Sequence, residues 1–421
     1  MGNQRNYSRP VSVIGVGQSD FTLSPDLPHH ELYTWAGQAA MEDAGLKPKD
    51  IQKVITPNFS SYPFMGQSLS LHVSLADWIG LGGVPNSHHE EGCASGYIAM
   101  DEAVQSVASG MYDIVMVIGV EMCEQAIRPG KPSYDLCSVS ELPRFDANGC
   151  LSDVAYTRFD GASSNLIFDM PSRFYAKENN LSDDMMDDIL NAYAISARRN
   201  AHLNPHAILQ DEIATVAKRL GFDDVNAYMK SKFNPKLSQF LRVNSMAKRC
   251  NAAAAIIFCS SDIAVGFKQK PISVIGTGVG SYSTGTPFHI SKQCETAVKR
   301  CFEITGVRKE EIDYLQACDM NASEVLEAVQ HIGYLGDKSW EYILDGQTAY
   351  DGEKPINTDG GYLARGHAYG VSGLASMKEA VLQLRGQAGE RQIKKPLKTA
   401  MLWGFGGSHT STATILRNDN A

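Results

Sequence analysis

Apolar positions along the chain fall into two periods. After Glu91-Gly92-Cys93-Ala94-Ser95-Gly96, the residues Tyr97, Met100, Val104 and Val107 recur at helical spacing. That spacing predicts a helix with one buried face, starting where the cysteine sits. Residues 185–199 and 211–220 also read as amphipathic helices, and a further helix is expected over 372–386. Ser12-Val13-Ile14-Gly15-Val16-Gly17 is a β-branched run closed by glycine, the pattern of a buried strand. Asn251-Ala252-Ala253-Ala254-Ala255-Ile256-Ile257-Phe258 reads as a small-residue turn feeding another strand. Residues 408–416 alternate and carry β-branched side chains, which predicts a last strand.

The first strand pattern returns. Ser12-Val13-Ile14-Gly15-Val16-Gly17 reappears as Ser273-Val274-Ile275-Gly276-Thr277-Gly278, an offset of 261 residues. The same offset carries Gly45-Leu46-Lys47 onto Gly306-Val307-Arg308, and Asp50-Ile51 onto Glu311-Ile312. Each copy reads strand, loop, helix, strand, with the glycine after the helical pattern acting as a C-terminal stop. Spacing kept over several matches points to duplication. The chain is then two similar α/β halves. Between them, residues 121–246 are richer in polar, charged and aromatic residues, as expected of a long insertion covering a site built by the core. Pro271 marks the join to the second half. The expected units are 1–120 with 247–268, the insertion 121–246, and 269–421.

With 421 residues, 43% hydrophobic and 20% charged, the composition is that of a globular protein. The net charge of −9 and the lack of any basic run argue against a nucleic-acid surface, while leaving room for a local basic patch. No apolar run is long enough to span a membrane. Residues 1–10 are polar and lack the apolar stretch of a signal peptide, so a cytoplasmic protein is expected. The nine cysteines (93, 123, 137, 150, 250, 259, 294, 301 and 318) are scattered and include no C-x-x-C pair. Neither a metal site nor a disulfide framework is expected.

Three clusters could carry chemistry. Cys93 lies between small residues that let a substrate approach, at a helix start whose dipole favours a thiolate. The plainer alternative is a buried packing cysteine. In Asn357-Thr358-Asp359-Gly360-Gly361 and Arg365-Gly366-His367-Ala368-Tyr369-Gly370-Val371-Ser372-Gly373, glycines flank a histidine placed to act as donor or base, or simply to pack in a turn. Gly404-Phe405-Gly406-Gly407-Ser408-His409 offers backbone N–H groups for an oxyanion, or a β-turn and no more.

Together these stretches resemble the thiolases. Gly92 to Gly96, then Gly110-Met111-Tyr112-Asp113-Ile114-Val115-Met116-Val117-Ile118-Gly119-Val120-Glu121-Met122, are similar to their first half. The histidine loop and the closing glycine turn match their second half, in the same order over nearly the whole chain. Ala94-Ser95 after the cysteine, and a closing turn without cysteine, resemble the sterol-carrier or lipid-transfer type, which includes the benzoylsuccinyl-CoA thiolase catalytic subunit. The resemblance implies a five-layer αβαβα core from two duplicated halves plus an inserted loop domain, usually dimeric. It implies Cys93 as nucleophile and His367 as the histidine that activates it and binds the enolate oxygen. The N–H groups of Cys93 and Gly406 would form a second oxyanion hole, and the insertion would carry the coenzyme A surface.

Two departures stand out. Relatives carry Asn-Glu-Ala-Phe or His-Asp-Cys-Phe where this chain has Gln316-Ala317-Cys318-Asp319-Met320-Asn321, followed by Glu324. Anchored on Glu324, Ala317 falls at the Asn or His position and Asp319 at the second cysteine, with Cys318 one residue away. The second acid/base is thus Cys318 or Asp319. Ala368-Tyr369 replaces the usual Pro and aliphatic pair, which makes Tyr369 a candidate substrate-binding group or a packing residue. The expected function is thiolytic cleavage of a β-ketoacyl-CoA, or the reverse condensation, through an acyl-cysteine. The altered segment fits a bulky or aromatic substrate, with coenzyme A as co-substrate and a small zinc-ribbon/OB-fold partner subunit, as some relatives have. Alternatives are a retro-aldolase or C-acyltransferase on the same fold, and a non-catalytic acyl-CoA-binding subunit.

Overall fold

The computed structural model describes residues 7–23, 27–59, 70–123, 164–282, 290–406 and 410–419. Its nine strands are β1 (Val11–Gln18), β2 (Lys53–Pro57), β3 (Asn86–His89), β4 (Ile114–Met122), β5 (Asn251–Ser260), β6 (Ile272–Ser281), β7 (Tyr314–Ala317), β8 (Thr399–Gly406) and β9 (Thr410–Arg417). They run in the order β3-β2-β4-β5-β1-β6-β9-β8-β7. The helices that matter for the site are α1 (His29–Ala44), α2 (Ser95–Ala108), α3 (Asp183–His202), α4 (Ile290–Thr305), α5 (Ala322–Ile332) and α6 (Val371–Arg385).

The duplication survives in detail. β1 and β6 pair antiparallel with Ser12 opposite Ser273, so the two copies of the repeat meet at equivalent residues. Each strand carries a register shift at the same place, between Val13 and Gly15 and between Val274 and Gly276. Helices α1 and α4 start and stop at equivalent positions, and the glycine after each, Gly45 and Gly306, is left-handed at φ 74° and 65°. The strand glycines have a packing reason. A Cβ on Gly17 would meet Ala36 O and Ala40 N of α1, and one on Gly278 would meet Ala297 O and Cys301 N of α4. These strands are glycine there so that the helix backbone can lie directly on them.

The inner layer holds α2 and α6, one from each half, packed on each other and on strands. α6 is buried nearly all round, as a helix between two layers must be. Its polar Glu379 is satisfied by Arg391, at 2.8 Å, and by Thr358 and Gln383. On the outer face of the first half, α1 packs against β1, β4 and β5. β5 shows the alternation: Ala252, Ala254, Ile256 and Phe258 join one core, and Ala253, Ala255, Ile257 and Cys259 join the other. The alanine run 252–255 is therefore strand rather than the turn expected from its composition. Small side chains are needed there because helices press on both faces.

The long insertion leaves from the end of β4 and returns at β5. The equivalent connection in the second half, β8 to β9, is residues 407–409. The described part of the insertion is tied by a buried bidentate pair, Arg242 Nε and Nη2 to Asp187, at 2.7 and 2.9 Å. It also bonds the second half: Asn200 Nδ2 donates to the carbonyls of Ile356 and Asn357 at 3.1 and 3.0 Å. Cys137, Cys150, His409 and the stretch 124–163 lie outside the described residues.

Candidate active site

The loop that presents Cys93 follows the end of β3. Gly92 has φ 55°, which only glycine adopts without cost. Ser95 locks the turn: its hydroxyl donates to Gly92 O at 2.6 Å and accepts from Glu91 N at 2.8 Å. Helix α2 then starts, leaving Cys93 just ahead of its first turn and 7% exposed. A Cβ on Gly96 would strike Gly370 O, so the first turn of α2 lies against the start of α6. That approach brings the two halves' loops together.

His367 arrives from the other side. Its N–H donates to Lys248 O at 2.9 Å, and its carbonyl accepts from Cys250 N at 3.2 Å, so the segment just before β5 holds its backbone. Nε2 lies 3.1 Å from Cys93 Sγ, although the two residues are far apart in the chain. Nδ1 lies 3.1 Å from the Ser372 hydroxyl, which also accepts from Ala368 N at 2.9 Å. The imidazole stacks on Tyr362, with centroids 4.9 Å apart and planes at 13°. Burial, then the charges of Arg365 and Arg249, push its pKa down to about 3, so it is neutral across ordinary pH.

The other sequence candidates are gathered nearby. Cys318 is fully buried, with Sγ 3.6 Å from Glu324 Oε2 and 4.0 Å from Phe405 O. Burial, then the charges of Glu324 and Cys93, raise its pKa well above the ordinary thiol value. Asp319 faces another way. It accepts from the Tyr193 hydroxyl of α3 at 2.8 Å and from Tyr362 N at 2.6 Å, and burial lifts its pKa to about 7. Met320 Sδ, next in the chain, comes within 3.9 Å of Cys93 Sγ. Ala317 presents only backbone here: its N–H and C=O are both held by the Asn357 side chain, at 2.8 and 2.9 Å. Tyr369 takes φ 28°, a strained value for a bulky residue, and sets its ring edge-on to His367 and to Phe59 at 5.3 and 5.1 Å. Gly406 lies against Glu91 O and Ala94, the neighbours of Cys93, and the Thr410 hydroxyl beyond the closing turn donates to Glu91 at 2.5 Å.

Ser372, Tyr362, Met320 and Tyr193 were not foreseen as site residues. Ser372 lies inside the glycine-rich motif and was readable there as a helix start. The others reach the site only through the fold.

The thiolase N-terminal domain model matches residues 13–235, and the thiolase C-terminal domain-like model matches residues 281–418. The chain belongs to the thiolase family. This thiolase is 28% identical to the acetyl-CoA acetyltransferase of Methanothermobacter thermautotrophicus over 96% of its own length and 98% of the relative's. It is 24% identical to human sterol carrier protein 2, over 91% of this chain and 68% of that protein. It is 23% identical to benzoylsuccinyl-CoA thiolase subunit BbsB of Thauera aromatica, over 95% of each. In fold it is similar to an Ltp2-ChsH2(DUF35) aldolase, at TM-score 0.76, 18% identity and 98% coverage of both chains. It is also similar to human mitochondrial 3-ketoacyl-CoA thiolase, at TM-score 0.71 and 17% identity, over 98% of this chain and all of the other. The protein is an acyltransferase enzyme of the thiolase type. Among the described residues, no group of side chains is placed to hold a metal ion, and no helix is long and apolar enough to cross a membrane.

Proposed function

We propose that the protein cleaves a β-ketoacyl-CoA by thiolysis, or runs the reverse condensation, through an acyl group on Cys93. The observation that carries this is the 3.1 Å approach of Cys93 Sγ to His367 Nε2, made by one residue from each half. Cys93 gives its proton to Nε2, and its sulfur attacks the keto carbon. The carbon–carbon bond breaks, leaving acyl-Cys93 and a thioester enolate, whose oxygen His367 holds. An acid protonates the enolate carbon and the first acyl-CoA leaves. The same group, now a base, takes the thiol proton of incoming coenzyme A, whose sulfur displaces Cys93 and releases the second acyl-CoA. The N–H groups of Cys93 and Gly406 are assigned to the oxyanion of that last step, where one such donor contributes about 2.7–4 kcal/mol.

Of the two acid/base candidates we assign the role to Cys318. Its electrostatic link to Cys93 supports this, whereas both carboxylate oxygens of Asp319 are engaged by Tyr193 and Tyr362. Tyr369 and Phe59, edge-on beside His367, are assigned to the wall of a pocket for a bulky or aromatic acyl group such as that of benzoylsuccinyl-CoA. A dimer is expected, and a cytoplasmic setting fits the seven described cysteines, all free thiols. A small DUF35-type partner is supported by its presence in the aldolase's name and by the word subunit in that of BbsB.

Intact-protein mass spectrometry with a panel of β-ketoacyl-CoAs, followed by peptide mapping, tests the scheme. An acyl adduct on Cys93 is expected, and Cys93→Ala should abolish it. Turnover that survives this substitution would sink the covalent mechanism. A retro-aldolase is the second reading, favoured by Tyr369 against His367 and by the aldolase-like fold. It predicts product without an adduct.

A further inference from the structure

Arg249 stands beside the Cys93–His367 pair with a buried nitrogen that the fold does not use. Its chain neighbours Lys248 and Cys250 grip the His367 backbone, so Arg249 lies directly alongside His367 in a short parallel bridge. Among the described residues, its Nη1 is shut off from solvent and makes no hydrogen bond, and no carboxylate forms an ion pair with it. The guanidinium groups of Arg242, Arg365, Arg385 and Arg391 each meet a carboxylate: Asp187, Asp359, Asp43 and Glu379. Arg249 lacks one; so does Arg198, whose guanidinium instead donates to the Asp211 carbonyl, whereas Arg249 lies beside the reaction centre. Its charge is felt at the reaction centre: after burial and Arg365 it helps keep His367 neutral, and it offsets part of the rise that burial imposes on the Tyr369 hydroxyl. A cation held partly out of water without an anion is costly, and folds seldom keep one without a use for it.

We propose that Arg249 binds a carboxylate on the acyl part of the substrate, so that the β-ketoacyl-CoA this protein takes is a dicarboxylic one. The proposal rests on the thiolase reading above. Arg249 flanks the groups that handle the thioester and the keto carbon, and the whole pantetheine arm separates those from the phosphates of coenzyme A. The anion within its reach is therefore on the acyl group. A planar guanidinium matches a carboxylate with two parallel N–H···O bonds.

The test compares kcat/KM for two matched pairs of substrates. One is 3-oxoadipyl-CoA against 3-oxohexanoyl-CoA, with the carboxylate on the fragment that stays on cysteine. The other is 2-carboxymethylacetoacetyl-CoA against 2-ethylacetoacetyl-CoA, with the carboxylate on the leaving fragment. In the wild type, the carboxylate member of at least one pair should be favoured by roughly 10- to 100-fold. Arg249→Met should bring that ratio close to one, and Arg249→Lys should keep part of it. Wild-type ratios near one for both pairs overturn the proposal, even if Arg249→Met fails to fold. So does a ratio that Arg249→Met leaves unchanged while both members slow equally, the result expected if Arg249 served the phosphates of coenzyme A. Absence of an acyl adduct on Cys93 with every probe refutes the underlying thiolase reading instead, and the proposal with it.

Discussion

At the scale of single residues, two buried titratable groups act on stability in opposite directions. His367 is held near pKa 3, below its unfolded value of about 6.5. Between those values the unfolded chain binds a proton that the folded one refuses, so stability falls as pH falls. Asp319 is lifted from 3.8 to about 7. Between those values the unfolded chain ionises first, so its contribution falls as pH rises. Urea unfolding across pH 4–7 should therefore show a shallower loss toward high pH in Asp319→Asn than in the wild type. His367→Asn should show a shallower loss toward low pH. Glu324, lifted to about 8 by burial and in part by the charge of Asp319, adds to the same trend and loses part of its own lift in Asp319→Asn, which reinforces the expected difference. Slopes identical to the wild type in both variants would show that neither group is buried as described. His367 also predicts that the acylation rate of Cys93 has no inflection belonging to imidazole between pH 5 and 9. An inflection near 6.5 that disappears in His367→Asn would contradict its buried, neutral state.

At the scale of elements, the strand glycines are the clearest determinants. Gly278→Ala would push a methyl into the backbone of α4 at Ala297 and Cys301, and should cost about 1–3 kcal/mol by denaturant unfolding. A change under about 0.5 kcal/mol would mean that the helix does not rest on the strand. This packing was legible in the sequence because duplication repeats it: the glycines, the helix stop and the following turn recur at one offset. The alanine run 252–255 was misread for the opposite reason. Its composition suits a turn, and only the helices on both faces make it a strand. The site divided in the same way. Cys93, His367 and Gly406 were legible as motifs. The positions of Cys318, Asp319 and Met320 were not, because three consecutive residues after β7 point to three different environments.

At the scale of the whole molecule, the halves are alike in scaffold and unlike in what joins their last two strands. In one that connection is the long insertion, and in the other it is residues 407–409. Among the described residues, the insertion reaches the site notably through Tyr193 on Asp319 and Asn357. The buried pair Asp187–Arg242 holds its turns together. Asp187→Asn leaves a buried guanidinium without its charge partner and should cost about 3–5 kcal/mol. Hydrogen exchange should locate that loss in residues 183–245 and leave β1 and β6 protected. Loss spread evenly over the chain would show that insertion and core unfold as one unit.

The β1–β6 seam, with Ser12 facing Ser273, also makes the enzyme divisible. Phe267 packs on the outer core of the first half, and Lys268 N bonds Ala44 O at 3.3 Å, while Gln269 and Lys270 bond Gln387 and Arg385 of the second, so a cut after the exposed Lys268 leaves each side of the link held by its own half. Fragments 1–268 and 269–421, produced together, should dock along that seam and restore the thiol to its imidazole. Each fragment made alone would be left with a raw sheet edge and half a reaction centre. The ancestor implied by the repeat had the same need, and a pair of identical copies would have met it by pairing with each other.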